Sequence, residues 1–297
     1  MKKKILLIAS AVILMSCNNS GETNNNNMEK EKAAITESFP NADMMPGAND
    51  VMSSFSLNVA EGKRLIAKGI AAHPLVKQKM KSGIVIITKG STNTYIAEEL
   101  IGLTEDHGRF VSGNISSNPF PVETNKIPEI IIENGKRIDM PLKEALTILK
   151  EGDIIFKGGN LLNYERKQAA VTVGAPDGGT VGRIQPFSAE GPGHLIVPIG
   201  LEKEVYGDLN DYAKVMSSDI KKTGSIPLLI LHKNAEIFTE IEAIKLFGNV
   251  KVVFFASGGI NGSEGGKSFA IYGSPAEIEK VINIISTIKG EPPFINN

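Results

Sequence analysis

The sequence predicts an α/β body in which helices flank a mainly parallel sheet. Short β-branched runs alternate with amphipathic helical stretches from residue 56 onward. Two of the expected strand ends pass into glycine-rich turns, the places where open parallel sheets hold ligands. Composition agrees: 297 residues with 41% hydrophobic and 22% charged side chains can bury a sizeable core.

Each element follows from a local pattern. Asn58 with Glu61 has the form of a capping box, and Leu65, Ile66, Gly69 and Ile70 share one face of the helix it opens. That helix should stop at His73, because the residue before Pro74 is pushed out of the helical region. Ile84-Val85-Ile86-Ile87-Thr88 lies between Gly83 and Gly90 and suits a strand buried on both faces. Residues 94–101 read as helix. Residues 130–132 and 136–138 flank Asn134-Gly135, the favoured turn of a tight hairpin. Asp139 opens a helix over 139–150, with Leu142, Ala145, Leu146 and Leu149 as its apolar stripe. Strands are expected at 153–156, 171–173 and 195–199, and a helix at 210–220. Residues 227–231, 236–247 and 250–255 read as strand, helix and strand. A last strand at 267–272 precedes Ser274-Pro275-Ala276-Glu277, which opens a helix to residue 288.

Charge and cysteine usage exclude whole classes. The formal charge of −1 lacks the basic field of a nucleic-acid binder. A single cysteine excludes a disulfide framework and a multi-cysteine zinc site. His73, His107, His194 and His232 show no i, i+4 spacing, so no metal site is expected, and no cofactor.

The one cysteine, Cys17, stands where a leader would end. Lys2-Lys3-Lys4 is a basic start, and residues 5–15 form an apolar stretch short of the about 20 residues that span a bilayer. Leu14-Met15-Ser16-Cys17 resembles the lipobox of bacterial lipoproteins. The resemblance implies lipidation of Cys17, cleavage before it and anchoring to a membrane by acyl chains. Residue 18 is Asn rather than Asp, so nothing argues for inner-membrane retention, and the expected address is the outer membrane of a bacterial envelope. Residues 1–16 are then the signal peptide. Residues 17–55, with their Asn run and low complexity, read as a flexible tether, and residues 56–297 as the body.

Chemistry is expected at the two turns. In Thr88-Lys89-Gly90-Ser91-Thr92-Asn93, Gly90 lets a ligand approach the backbone, and the helix start offers free N–H groups to an anion. Ser91 and Thr92 add hydroxyls, and Lys89 adds charge. The same residues also suit a plain strand-to-helix turn. The second turn is Lys157-Gly158-Gly159-Asn160, followed by Glu165-Arg166-Lys167. Together the segments resemble the NagB/RpiA/CoA-transferase superfamily. The first is similar to its Gly-Ser-Thr phosphate loop, and the second to the Lys-Gly-Gly-Gly…Arg-Glu-Lys segment of ribose-5-phosphate isomerase. The resemblance covers residues 83–170 and implies phosphate binding by Gly90, Ser91, Thr92 and Asn93. It also implies a substrate contact from Lys157 and a general base in Glu165. The acidic segment before the isomerase lysine has no counterpart here beyond Asp153, so the superfamily fold is implied more directly than the activity.

Three further segments are polar and glycine-rich. Residues 174–182 form a loop after a strand. Gly191-Pro192-Gly193-His194 places a structural histidine at a strand start. Ser263-Glu264-Gly265-Gly266 is similar to the Ser-Glu-Asn-Gly turn that carries the nucleophile of type I CoA transferases. The expectation is thus an envelope lipoprotein whose body binds a small anionic ligand, a phosphorylated or acidic sugar, with isomerase-type chemistry as its enzymatic version. The rival is a non-catalytic structural or interaction lipoprotein in which the glycines only shape loops.

Overall fold

The computed structural model describes residues 44–112 and 125–294; Cys17, the leader expected before it and the part of the expected tether up to residue 43 lie outside the described residues. The first strand, β1 (Val51–Leu57), begins inside the stretch expected as tether. It leads into α1 (Val59–Ala72), whose capping box forms as expected: Asn58 Oδ1 accepts from Glu61 N at 2.8 Å, and Glu61 Oε2 accepts from Asn58 N at 2.9 Å. His73 ends α1, and Pro74 occupies the first turn of α2 (Pro74–Lys81), where its missing N–H is harmless.

Next come β2 (Ile84–Ile87), α3 (Ser91–Ile101), and the hairpin β3 (Ile130–Glu133) and β4 (Lys136–Ile138). Asn134 and Gly135, at φ 50° and 79°, make the expected tight turn. The helix expected over 139–150 shrinks to α4 (Leu142–Thr147), which starts at Pro141 and not at Asp139. β5 (Ile154–Phe156) follows, then a hairpin of β6 (Leu161–Asn163) and β7 (Gln168–Val173), α5 (Gly179–Ser188) and β8 (His194–Pro198). The chain continues through α6 (Leu209–Ser217), β9 (Leu228–Leu231), β10 (Ala235–Phe238), α7 (Glu240–Phe247), β11 (Lys251–Gly258), β12 (Gly266–Gly273) and α8 (Pro275–Ile288). The first quarter of the helix expected over 236–247 is therefore strand. Thr239 starts α7 with its own capping box to Glu242, which leaves Ala235–Phe238 free to pair with β8.

The main sheet is mixed, not purely parallel. The large sheet has six strands in the order β10-β8-β5-β2-β3-β4. β10, β8, β5 and β2 run parallel, while β3 and β4 add antiparallel pairs at one side. Two further three-stranded sheets, β1-β12-β11 and β6-β7-β9, are wholly antiparallel. The α/β body with helices flanking the main sheet is as expected; the two antiparallel sheets were not, because β-branched content marks a strand without marking its direction.

The core follows from the apolar runs. Ile86, Ile87, Ile155, Phe156, Ile196 and Val197 of the parallel strands are fully buried, each contributing about 1.5–3 kcal/mol. α1 packs on α3 and α7. Gly62 and Gly69 make that possible: a Cβ on Gly62 would lie 2.7 Å from Glu240 Oε1, and one on Gly69 would lie 2.6 Å from Ala243 Cβ.

Candidate functional site

Because β2, β5, β8 and β10 are parallel, their carboxyl ends open on one edge, where such sheets bind ligands. Both glycine-rich turns meet there on neighbouring strands. Thr88, just past β2, donates from its N–H and Oγ1 to Phe156 O at 3.1 and 2.8 Å. Asn93 Nδ2 donates to Thr88 O at 2.7 Å and to Phe156 O at 3.3 Å. The Asn93 amide thus anchors α3 onto two strand ends and does not face outward as a ligand donor. Thr92 is buried, whereas Lys89, Gly90 and Ser91 keep partial exposure. No side chain caps α3, so its first N–H groups retain their pull on an anion.

Lys157 follows β5 directly. Its Nζ donates to the Gly158 carbonyl at 3.3 Å, and no carboxylate of the described residues lies within ion-pair distance. The side chain keeps some solvent exposure, yet protein packs densely around its ammonium. Burial lowers its pKa to about 8, with Lys203 adding to the effect and Glu129 opposing it. His232 Nε2 donates to the same Gly158 carbonyl at 3.2 Å, and its Nδ1 is buried without a hydrogen-bond partner. Burial, reinforced by Lys157, depresses the His232 pKa to about 3, so the imidazole is neutral at neutral pH. Gly159 is a close-approach glycine, since a Cβ there would sit 2.7 Å from Ala170 O. Asn160 is engaged with Thr172: its Oδ1 accepts from Thr172 N at 2.9 Å, and its Nδ2 donates to Thr172 Oγ1 at 2.8 Å. Asn93, Gly159 and Asn160 therefore hold the turns in shape. Lys89, Gly90, Ser91, Lys157 and Gly158 line the edge they shape.

Farther along the edge lies a buried ion cluster. Lys267 Nζ, wholly buried, sits 2.8 Å from Glu240 Oε1 and 2.6 Å from Glu202 Oε2. Glu240 Oε2 also accepts from Leu201 N at 3.0 Å. Burial works against the Lys267 charge, but Glu240 and Glu202 outweigh it and hold the pKa above the usual lysine value. Burial likewise pushes Glu202 up, but Lys267 and Lys203 dominate and bring it to about 2. Lys63 lies close by, lowered to about 8 chiefly by burial, with Lys203 adding and Glu202 opposing. A groove of about 430 Å³, lined in part by Ser56, Asn58, Glu61 and Lys267, opens beside this cluster.

Glu165 is not part of the edge. It is exposed in the turn between β6 and β7, whereas Asn160 and Thr172 mark the other end of that hairpin. Glu264 is also exposed; its Oε2 accepts from Gly262 N at 2.9 Å within a hairpin loop. A groove of about 480 Å³ at the opposite edge, along residues 101–105 and 135–137, gathers no buried ionisable side chain. His194 begins β8 as expected, and the fold joins it to a distant histidine. His194 Nε2 lies 2.7 Å from Glu236 Oε2, and His73 Nε2 lies 3.1 Å from Glu236 Oε1. These contacts, His194 first, bring Glu236 to about 2 against its burial.

Sequence reasoning missed Lys63, Lys203, Lys267, Glu202, Glu240 and His232. One signal was present: Lys267 alternates in phase with Phe269 and Ile271, the buried side of β12. A lysine on an apolar face needs a buried partner. Comparisons with protein-family models, curated proteins and solved structures gave no match to this chain, so the carboxyl-edge geometry stands on its own.

Proposed function

We propose that the body binds a small anionic ligand, a phosphorylated or acidic sugar, at the carboxyl edge of its parallel strands. One observation carries the reading: Lys157 is a densely packed ammonium with a single carbonyl contact and no carboxylate partner among the described residues. A buried charge without a counter-ion is costly, and an anion beside Lys157, Lys203 and the uncapped start of α3 relieves that cost. The similarity of the two turns to the NagB/RpiA/CoA-transferase superfamily points the same way. Isomerase chemistry through Glu165 lacks support, since a base must lie within hydrogen-bond reach of its proton.

Calorimetry of the purified chain with inorganic phosphate, ribose 5-phosphate and lactate tests this. Lys157→Met should weaken binding roughly ten- to a hundredfold, the worth of one charge-assisted hydrogen bond. Thermal stability should hold or rise in that variant, because it removes an unpaired buried charge. Binding that survives Lys157→Met unchanged, or no heat with any of the three anions, ends the proposal.

The same proposal extends to the address: a lipid-anchored protein of the bacterial envelope, held through Cys17 as the lipobox-like Leu14-Met15-Ser16-Cys17 suggests. Palmitate label should enter the chain and vanish in Cys17→Ser. Label retained in that variant places the modification elsewhere.

A further inference from the structure

Lys157 combines features that a mere anion contact does not need. Its amine is tucked against the Gly158 carbonyl, makes no ion pair with a carboxylate among the described residues, feels the charge of Lys203 more than that of Glu129, and shares that carbonyl with a neutral imidazole. Lysines desolvated beside a second cation are nucleophiles toward carbonyl carbon. Resting on the anion-site reading above, we infer that Lys157 forms an imine with the aldehyde or ketone group of an anionic carbonyl compound. Lys203 supplies the positive charge that holds the anionic end, alongside the N–H groups that open α3.

The step balances without an added oxidant or reductant. The Nζ lone pair attacks the carbonyl carbon, the C=O π pair moves to oxygen, and a proton passes from nitrogen to that oxygen to give a carbinolamine. A proton from solvent lets the oxygen leave as water, and the nitrogen lone pair closes the C=N bond as a protonated imine. His232 Nδ1, buried and unpartnered, adds a neutral acceptor beside the same turn without competing for the anion. At pH 7.5 an amine with a pKa of about 8 offers roughly two-hundredfold more neutral base than an ordinary lysine.

Reductive trapping reads this directly. The full chain is incubated at pH 7.5 with pyruvate or glyoxylate and cyanoborohydride, digested, and mapped by mass spectrometry. The adduct should concentrate on the peptide carrying Lys157, vanish in Lys157→Arg, and fall when excess lactate competes. Lactate has the same charge and no carbonyl, so in calorimetry it should bind and leave nothing to trap. Adducts spread evenly over exposed lysines, or unaffected by lactate, overturn the imine. Lactate binding without any trapping defeats the imine and leaves the anion site intact, whereas absence of both binding and trapping defeats the two together. The lactate-competition arm uses unaltered protein, so it decides the matter even where Lys157→Arg folds poorly.

Discussion

Lys267→Met should destabilise the body by about 3–5 kcal/mol in urea unfolding, the usual cost of breaking a buried ion pair from one side. The methionine fits the space and loses only the charge, which strands Glu240, fully buried, and Glu202 beside it. Glu240 cannot turn to water without moving α1, since Gly62 lies against both Glu240 and Lys267. Adding Glu240→Gln and Glu202→Gln should recover most of the loss. The amide at position 240 still accepts from Leu201 N–H, and no uncompensated charge remains. A single-variant cost under about 1 kcal/mol, the range of exposed pairs, contradicts the buried cluster.

The pH dependence of this effect has a definite sign. Glu202 falls from 4.5 in the unfolded chain to about 2 in the fold, so its contribution is full above pH 4.5 and fades as pH drops toward 2. Lys267 is raised, so its contribution is full below its unfolded value of 10.5 and fades only as pH climbs past it. The gap between the native chain and Lys267→Met should therefore stay flat through neutral pH and narrow on acidification. Urea midpoints from pH 3 to pH 9 check this; a gap that widens below pH 4.5 refutes the assignment.

Local patterns were legible in the sequence, and assembly was not. The Ile84–Ile87 run, the Asn134-Gly135 turn and the Asn58–Glu61 box each depend on neighbours within a few residues, and each formed as read. β10 was misread because Ile237, Ile241 and Ile244 also suit a helical face, and only pairing with β8 makes Ala235–Phe238 a strand. The ion cluster draws on Gly62, Glu202, Glu240 and Lys267, four segments that no local spacing connects. Glu165 shows the converse. It lies close to Lys157 along the chain, yet the intervening β6 carries it to the far end of a hairpin. The two turns did converge, because parallel strands put all their carboxyl ends on one edge whatever the loops between them.

Gly69→Val should cost about 3 kcal/mol, toward the upper end for overpacking a well-filled core. A Cβ at position 69 meets the Ala243 methyl at 2.6 Å, the Ala243 backbone carbon behind it at 2.8 Å and the Phe238 ring at 3.1 Å. Backbone stands in the way, so no rotamer change relieves the clash and α1 must move off α7. Ala243→Gly should restore only part of the loss. It removes the nearer methyl, leaves the clash with the α7 backbone in place and gives up about 1 kcal/mol of helix propensity. The double-mutant cycle should show a favourable coupling between the two sites, and strict additivity would mean that they do not touch. Gly62 and Gly69 lie two helical turns apart, and one meets Glu240 while the other meets Ala243. Forcing the helices apart at Gly69 should therefore also loosen the Lys267–Glu240 pair. Gly69→Val and Lys267→Met together should then cost less than the sum of the two alone.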